Sequence, residues 1–135
     1  IQLLPRDLAS DVLAEIDKRA ATCARRIPAL LQLHIAQESS KFGLSEAELE
    51  ALVDQLDGGA WPHVEVKGLM GMATFTSDTA QVGREFRTLR RLYDRHAADR
   101  HWDTLSMGMS GDWRIAVEEG STMVRIGSLL FGPRN

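Results

Sequence analysis

Each strand-length apolar run in this 135-residue chain is separated from the next by a stretch long enough to form a helix. Such runs cannot pair through tight hairpins. They pair in parallel, with right-handed helical crossovers, because a parallel pair needs a long connection. The runs are Ala29–Ala36, His63–Thr74, Thr104–Met107 and Met123–Phe131, with Ile1–Leu4 as a strand remnant. Between them, Leu8, Val12, Ile16 and Ala20 repeat at helical spacing. Ser45-Glu-Ala-Glu48 is a capping box, followed by the stripe Leu49, Leu52, Val53 and Leu56. Gly58-Gly59 stops that helix without steric penalty. Ser77 or Asp78 caps a long helix whose buried side is Val82, Phe86, Leu89 and Leu92, and Asp112–Glu119 forms a short helix. The pattern predicts a single α/β domain of at most four strand-helix units. That is half of a (β/α)8 barrel, which needs about 250 residues when whole.

A half-barrel should leave two strand edges open and one sheet face wet, bearing Leu31, Leu33 and Ile35 or their alternates. Self-association, or pairing with the missing half, is therefore expected. The formal net charge of −3 argues against nucleic acid or an anionic membrane as partner. No apolar run reaches the length of a membrane span. Ile1–Pro5 lacks the basic start and long apolar region of a signal peptide. Cys23 is the sole cysteine, so no internal disulfide forms, and a cytoplasmic location is expected.

The chemistry concentrates in residues 104–131. The turn Gly108–Asp112 follows a strand and opens a helix, where unpaired N–H groups favour an anion. Ser110 is there either a phosphate ligand or an ordinary N-cap. A second small-residue turn, Gly127–Ser128, interrupts the last strand, and a glycine in a strand marks the close approach of a ligand or of another backbone. Two adjacent strand ends of this kind commonly hold phosphate in a barrel. Arg125 lies between Val124 and Ile126. Alternation puts it on one face with Met123 and Gly127. A buried arginine needs a partner, and Glu118 or Glu119 is the plain choice. Met70, Met72, Met107 and Met109 read chiefly as core fillers near strand ends. Lys18 and Lys67 read as solvated. His63, His96 and His101 have no metal-ligand spacing. No Ser-His-Asp set, P-loop or dinucleotide fingerprint is present.

Leu105–Asp112, Glu118–Gly127, Phe131–Arg134, Glu38–Gly43 and Lys67–Met70 together resemble the pyridoxal-phosphate homeostasis protein family (YggS/PROSC), itself similar to the barrel of alanine racemase. The resemblance implies the C-terminal half of such a barrel, with pyridoxal 5′-phosphate (PLP) as cofactor. Ser110, Gly111, Gly127 and Ser128 would hold the phosphate, Arg125 would face the pyridine nitrogen and Met107 would touch the ring. Ser128 stands where most relatives have threonine, and His34 where asparagine is usual. Lys41 reads as a phosphate ligand, a carboxylate partner or a surface charge; the resemblance puts it at the barrel mouth and the Schiff-base lysine upstream of Ile1. Without that lysine the half-barrel would be empty or hold phosphate or sulfate. Guanidinium cannot take up a proton, so a ring facing Arg125 is a weak electron sink. That suits holding the cofactor, although alanine racemases also use arginine here. The implied function is a non-catalytic carrier or buffer of PLP, with apo-forms of PLP enzymes as recipients. The alternatives are a racemase-like PLP enzyme acting on amino acids and a plain phosphate-binding half-barrel.

Overall fold

The computed structural model describes residues 6–37 and 43–131. In chain order these form α1 (Arg6–Thr22), β1 (Ile27–Leu33), α2 (Glu46–Asp57), β2 (Val64–Gly71), α3 (Thr79–Arg100), β3 (Thr104–Met107), α4 (Trp113–Glu118) and α5 (Ser128–Phe131). Among the described residues the strands make one parallel sheet in the order β1-β2-β3. Parallel pairing in sequence order is as the alternation predicts. The strand remnant at Ile1–Leu4 and Lys41 lie outside the described residues.

Register explains the burial. Leu31, Leu69 and Leu105 stand in one cross-strand row, and all are fully buried. They join one apolar cluster with Ala9 and Leu13 of α1, Leu49, Leu52 and Val53 of α2, and Val82, Phe86, Leu89 and Leu92 of α3. The next row, Gln32, Met70 and Ser106, points to the opposite face because successive strand residues alternate. It is buried too, although it lies outside that cluster. Between Ala29 and Leu30 the register slips by one residue, so Lys67 bulges from β2. At the adjacent Gly68 a Cβ would fall 1.6 Å from the carbonyl oxygen of Thr104, so only glycine lets β2 and β3 approach there.

Helix signals carry over with small changes of phase. The capping box at Ser45 and Glu48 is complete. Asp78, not Ser77, caps α3, its carboxylate accepting the N–H of Gln81. Gly58 keeps an ordinary φ of −78°, and Gly59, at +93°, takes the left-handed turn. In α1 the buried line is Ala9, Leu13 and Ala20, with Val12 and Ile16 beside it.

The expected last strand does not form. Met123 makes one parallel bridge to Ser106, and the chain enters α5 at Ser128. Side-chain hydroxyls supplement the few main-chain bonds to β3. Ser121 Oγ reaches the carbonyls of Leu105, Met107 and Met123, and Thr122 Oγ1 accepts the N–H of Leu105. The face shared by Met123, Arg125 and Gly127 falls with the strand.

Two further expectations are overturned. The outer side of β3 is covered, since Thr122 N–H bonds to Leu105 O, Met107 N–H to Met123 O and Arg125 N–H to Gly108 O. At β1, Leu44 takes the carbonyl of Gln32 and the N–H of His34. Leu31 and Leu33 lie under the helices, and the alternate Gln32 is fully buried. The open edges and wet apolar face are thus absent at these positions. No helix among the described residues is long and apolar enough to cross a membrane.

Candidate functional site

β3 ends at Met107, and Gly108, at a φ of +106°, turns the chain sharply. A Cβ there would sit 2.7 Å from that of Ala116, so the glycine lets α4 pack directly on the strand end. Asp112 then folds the turn on itself. Its Oδ1 accepts the N–H of Met109 at 2.8 Å, and its own N–H bonds to Met109 O. Asp112 occupies the N-cap of α4 but makes no side-chain cap. Ser110 is therefore not the N-cap.

Ser110 instead faces the second turn. Its Oγ accepts the N–H of Gly127 at 3.2 Å, so two segments 17 residues apart meet. A Cβ added at Gly111 or at Gly127 would meet nothing within 4 Å, so both backbones border open space. Ser110, Gly111, Asp112, Trp113, Arg114 and Ile115 line a cleft of about 400 Å³. Ser128 begins α5 and is exposed. Met107 is fully buried within the apolar cluster, in register with Gly71.

Arg125 lies beside these turns. Its Nη2 donates to the carbonyl of Gly71, the last residue of β2, at 3.1 Å. Its Nε is buried and has no hydrogen-bond partner among the described residues. Burial pulls the guanidinium below its ordinary pKa, and the carboxylate of Asp112 opposes that pull. The ion pair expected with Glu118 or Glu119 is absent. Glu119 is held by Arg87, which approaches both of its oxygens at 3.1–3.2 Å. The arginine is thus fixed across strands by a carbonyl and keeps a buried N–H at Nε to give.

Pattern reading missed Glu85. It sits inside the apolar stripe of α3, and its buried carboxylate accepts Thr74 N–H at 2.6 Å, Thr74 Oγ1 at 2.7 Å and Gln81 Nε2 at 3.0 Å. Gln37 N–H bonds to the same Thr74 hydroxyl. The chain leaving β1 and the chain leaving β2 are thereby tied to one helix. The available signal was position, since an acid between Val82 and Phe86 on a buried stripe needs donors.

The remaining candidates lie apart. His34 is exposed. His63 pairs with Asp17 and His96 with Glu50. Among the described residues no three His, Cys, Asp or Glu side chains could hold a metal. Lys67, read as solvated, contacts Glu65 at 3.1 Å.

The profile of the alanine racemase N-terminal domain family matches residues 9–135. The chain is 41% identical over 107 residues to the pyridoxal phosphate homeostasis protein of Vibrio alginolyticus, covering 78% of this chain and 45% of that protein. To the protein of that name from Haemophilus influenzae it is 34% identical over 138 aligned positions, covering 100% of this chain and 56% of that one. It spans about half the length of the curated relatives it matches. Among solved structures, PipY of Synechococcus elongatus superposes with a TM-score of 0.81 without PLP and 0.76 with PLP bound. Identities are 30% and 32%, covering 90% of this chain and 57% of that one. The α/β fold described above is thus part of an alanine racemase-like barrel, and the chain belongs to the alanine racemase N-terminal domain family, where it is similar to the pyridoxal phosphate homeostasis proteins.

Proposed function

We propose that this chain carries the phosphate-holding and ring-facing side of a PLP-binding barrel, in a cytoplasmic protein that stores or delivers the cofactor. The observation that carries this reading is the meeting of the two turns, with Ser110 Oγ against Gly127 N–H beside an arginine that retains a buried, unpartnered Nε. Those residues fit the group. Ser110 supplies a hydroxyl, and Gly111 and Gly127 leave room for a ligand to approach their backbones. Ser128 adds a second hydroxyl at the start of α5. Arg125 carries the unused donor that a ring nitrogen would accept.

Bound PLP supplies an electron-withdrawing ring. Arg125, unable to take a proton from its surroundings, leaves the ring nitrogen unprotonated and that withdrawal weak. Its bond to Gly71 O fixes it against β2. Retention of the cofactor therefore suits the arginine better than demanding chemistry, and apo-forms of PLP enzymes are the recipients. The relatives' names support the same reading, and the bound PLP in the PipY structure adds to it. Association with a second copy or with another barrel segment would draw on the exposed Met109, Met123 and Leu130 rather than on sheet edges.

Amide-resolved NMR titration tests the reading, with PLP in one arm and inorganic phosphate in the other. Saturable shifts at Gly111 and Gly127 in both arms are expected. Saturating concentrations of both that leave the two amides unmoved would refute it.

A further inference from the structure

At the opposite end of the sheet, where the strands begin, a second cleft of about 330 Å³ opens between the ends of α2 and α3. Trp61, Trp102, Leu56 and Val66 supply apolar wall, and Arg26, Arg100 and Asp57 line it too. We propose that this cleft binds a small aromatic carboxylate, its flat ring against the indole-lined wall and its carboxylate on Arg26.

Donor geometry selects the ligand. Arg100 and Asp57 neutralise each other through a two-point contact, Nε to Oδ1 at 3.1 Å and Nη2 to Oδ2. Arg100 also donates to the carbonyl of His96, so it answers the negative ends of the two helices. Arg26 is different. Its side chain is 62% exposed, and its contact with the Glu65 carboxylate is long, at 3.8 Å. Glu65 is already served by Lys67 at 3.1 Å. Lys67 also lies 3.9 Å from Asp103, so what sets Arg26 apart is geometry and not surplus charge: its contact with Glu65 is beyond hydrogen-bond distance, which leaves a fork-shaped donor at the rim able to take a planar carboxylate through two parallel bonds.

The wall selects a flat body. Trp102 is buried and anchored, its carbonyl accepting the Tyr93 hydroxyl at 3.1 Å. Trp61 is half-buried and has a φ of +51°, a conformation that bulky residues rarely adopt and that persists where the surroundings dictate it. A mostly apolar concave wall with a few placed polar groups is the usual form of a small-molecule site.

The three tryptophans give the test. Indole N–H signals of the labelled chain are followed while benzoate, benzamide and benzylamine are added in separate titrations. Trp61 and Trp102 should shift saturably with benzoate, at a dissociation constant on the order of 1 mM for so small a ligand. Trp113, at the other end of the sheet, should stay still. Arg26→Gln, at an exposed side chain, should keep the dispersed spectrum and weaken benzoate at least about tenfold, as loss of one charge-assisted pair implies. Binding of benzamide or benzylamine as strong as that of benzoate would overturn the proposal. So would unchanged affinity in Arg26→Gln, or shifts confined to Trp113.

Discussion

Glu85→Ala should loosen the rim of the proposed PLP site and destabilise the whole domain. The carboxylate accepts three hydrogen bonds in a position that is 8% exposed. Removing it strands the Thr74 N–H, whose loss costs about 1–3 kcal/mol when a buried donor goes unpaired. The Thr74 hydroxyl can rotate, and Gln81 is partly solvated, so each loses less, about 0.5–1 kcal/mol. The sum is about 2–5 kcal/mol. With a urea slope of about 2 kcal/mol/M, the unfolding midpoint should fall by about 1–2.5 M. Glu85→Gln keeps one oxygen for Thr74 N–H but turns an amide donor toward another donor, and should cost about 1 kcal/mol. Urea unfolding followed by tryptophan fluorescence measures both variants. A Glu85→Ala midpoint within experimental error of the parent would refute the reasoning. Equal losses in Ala and Gln would show that charge, not acceptor geometry, holds the loop.

Gly68→Ala should prevent β2 and β3 from pairing at Thr104, because the added Cβ overlaps a backbone oxygen that cannot swing away; circular dichroism and soluble yield report the loss. Ser45→Ala removes the hydroxyl that caps α2 and should cost about 1 kcal/mol in thermal or urea unfolding. Tyr93 is held neutral by burial, with Arg90 pulling the other way, so its folded pKa lies above the unfolded value. Its contribution is complete below the unfolded pKa of about 10 and is lost as pH rises through the higher folded one. Tyr93→Phe should lose about 1 kcal/mol at neutral pH and show a shallower alkaline decline than the parent, as denaturation at stepped pH will show.

The outer layer was legible because its signals are local. Val82, Phe86, Leu89 and Leu92 recur every three or four residues and are all buried. Ser45 and Glu48 satisfy each other within one turn. Parallel pairing followed from connection length alone. The last strand misled because Met123–Phe131 has a strand's composition while its bonding is decided by Ser121 and Thr122, just before it. Arg125 was visible as a cation inside an apolar run, but its partner is a main-chain oxygen 54 residues away, and no pattern of side chains encodes a carbonyl. The meeting of Ser110 with Gly127 was legible only as two turns that the fold would bring to neighbouring strand ends.

The covered margins of the sheet have a kinetic meaning. Seventeen residues separate Leu105 from Thr122, whose hydroxyl and N–H serve the outer side of β3. A loop of about that length closes on a timescale near 100 ns. Collision with a second molecule at micromolar concentration, at about 10⁵–10⁷ M⁻¹s⁻¹, takes about 0.1–10 s. The chain's own hydroxyl therefore reaches Leu105 some six to eight orders of magnitude sooner than a stranger's backbone can, and the newly made sheet spends almost none of its life with that margin available to the crowd around it.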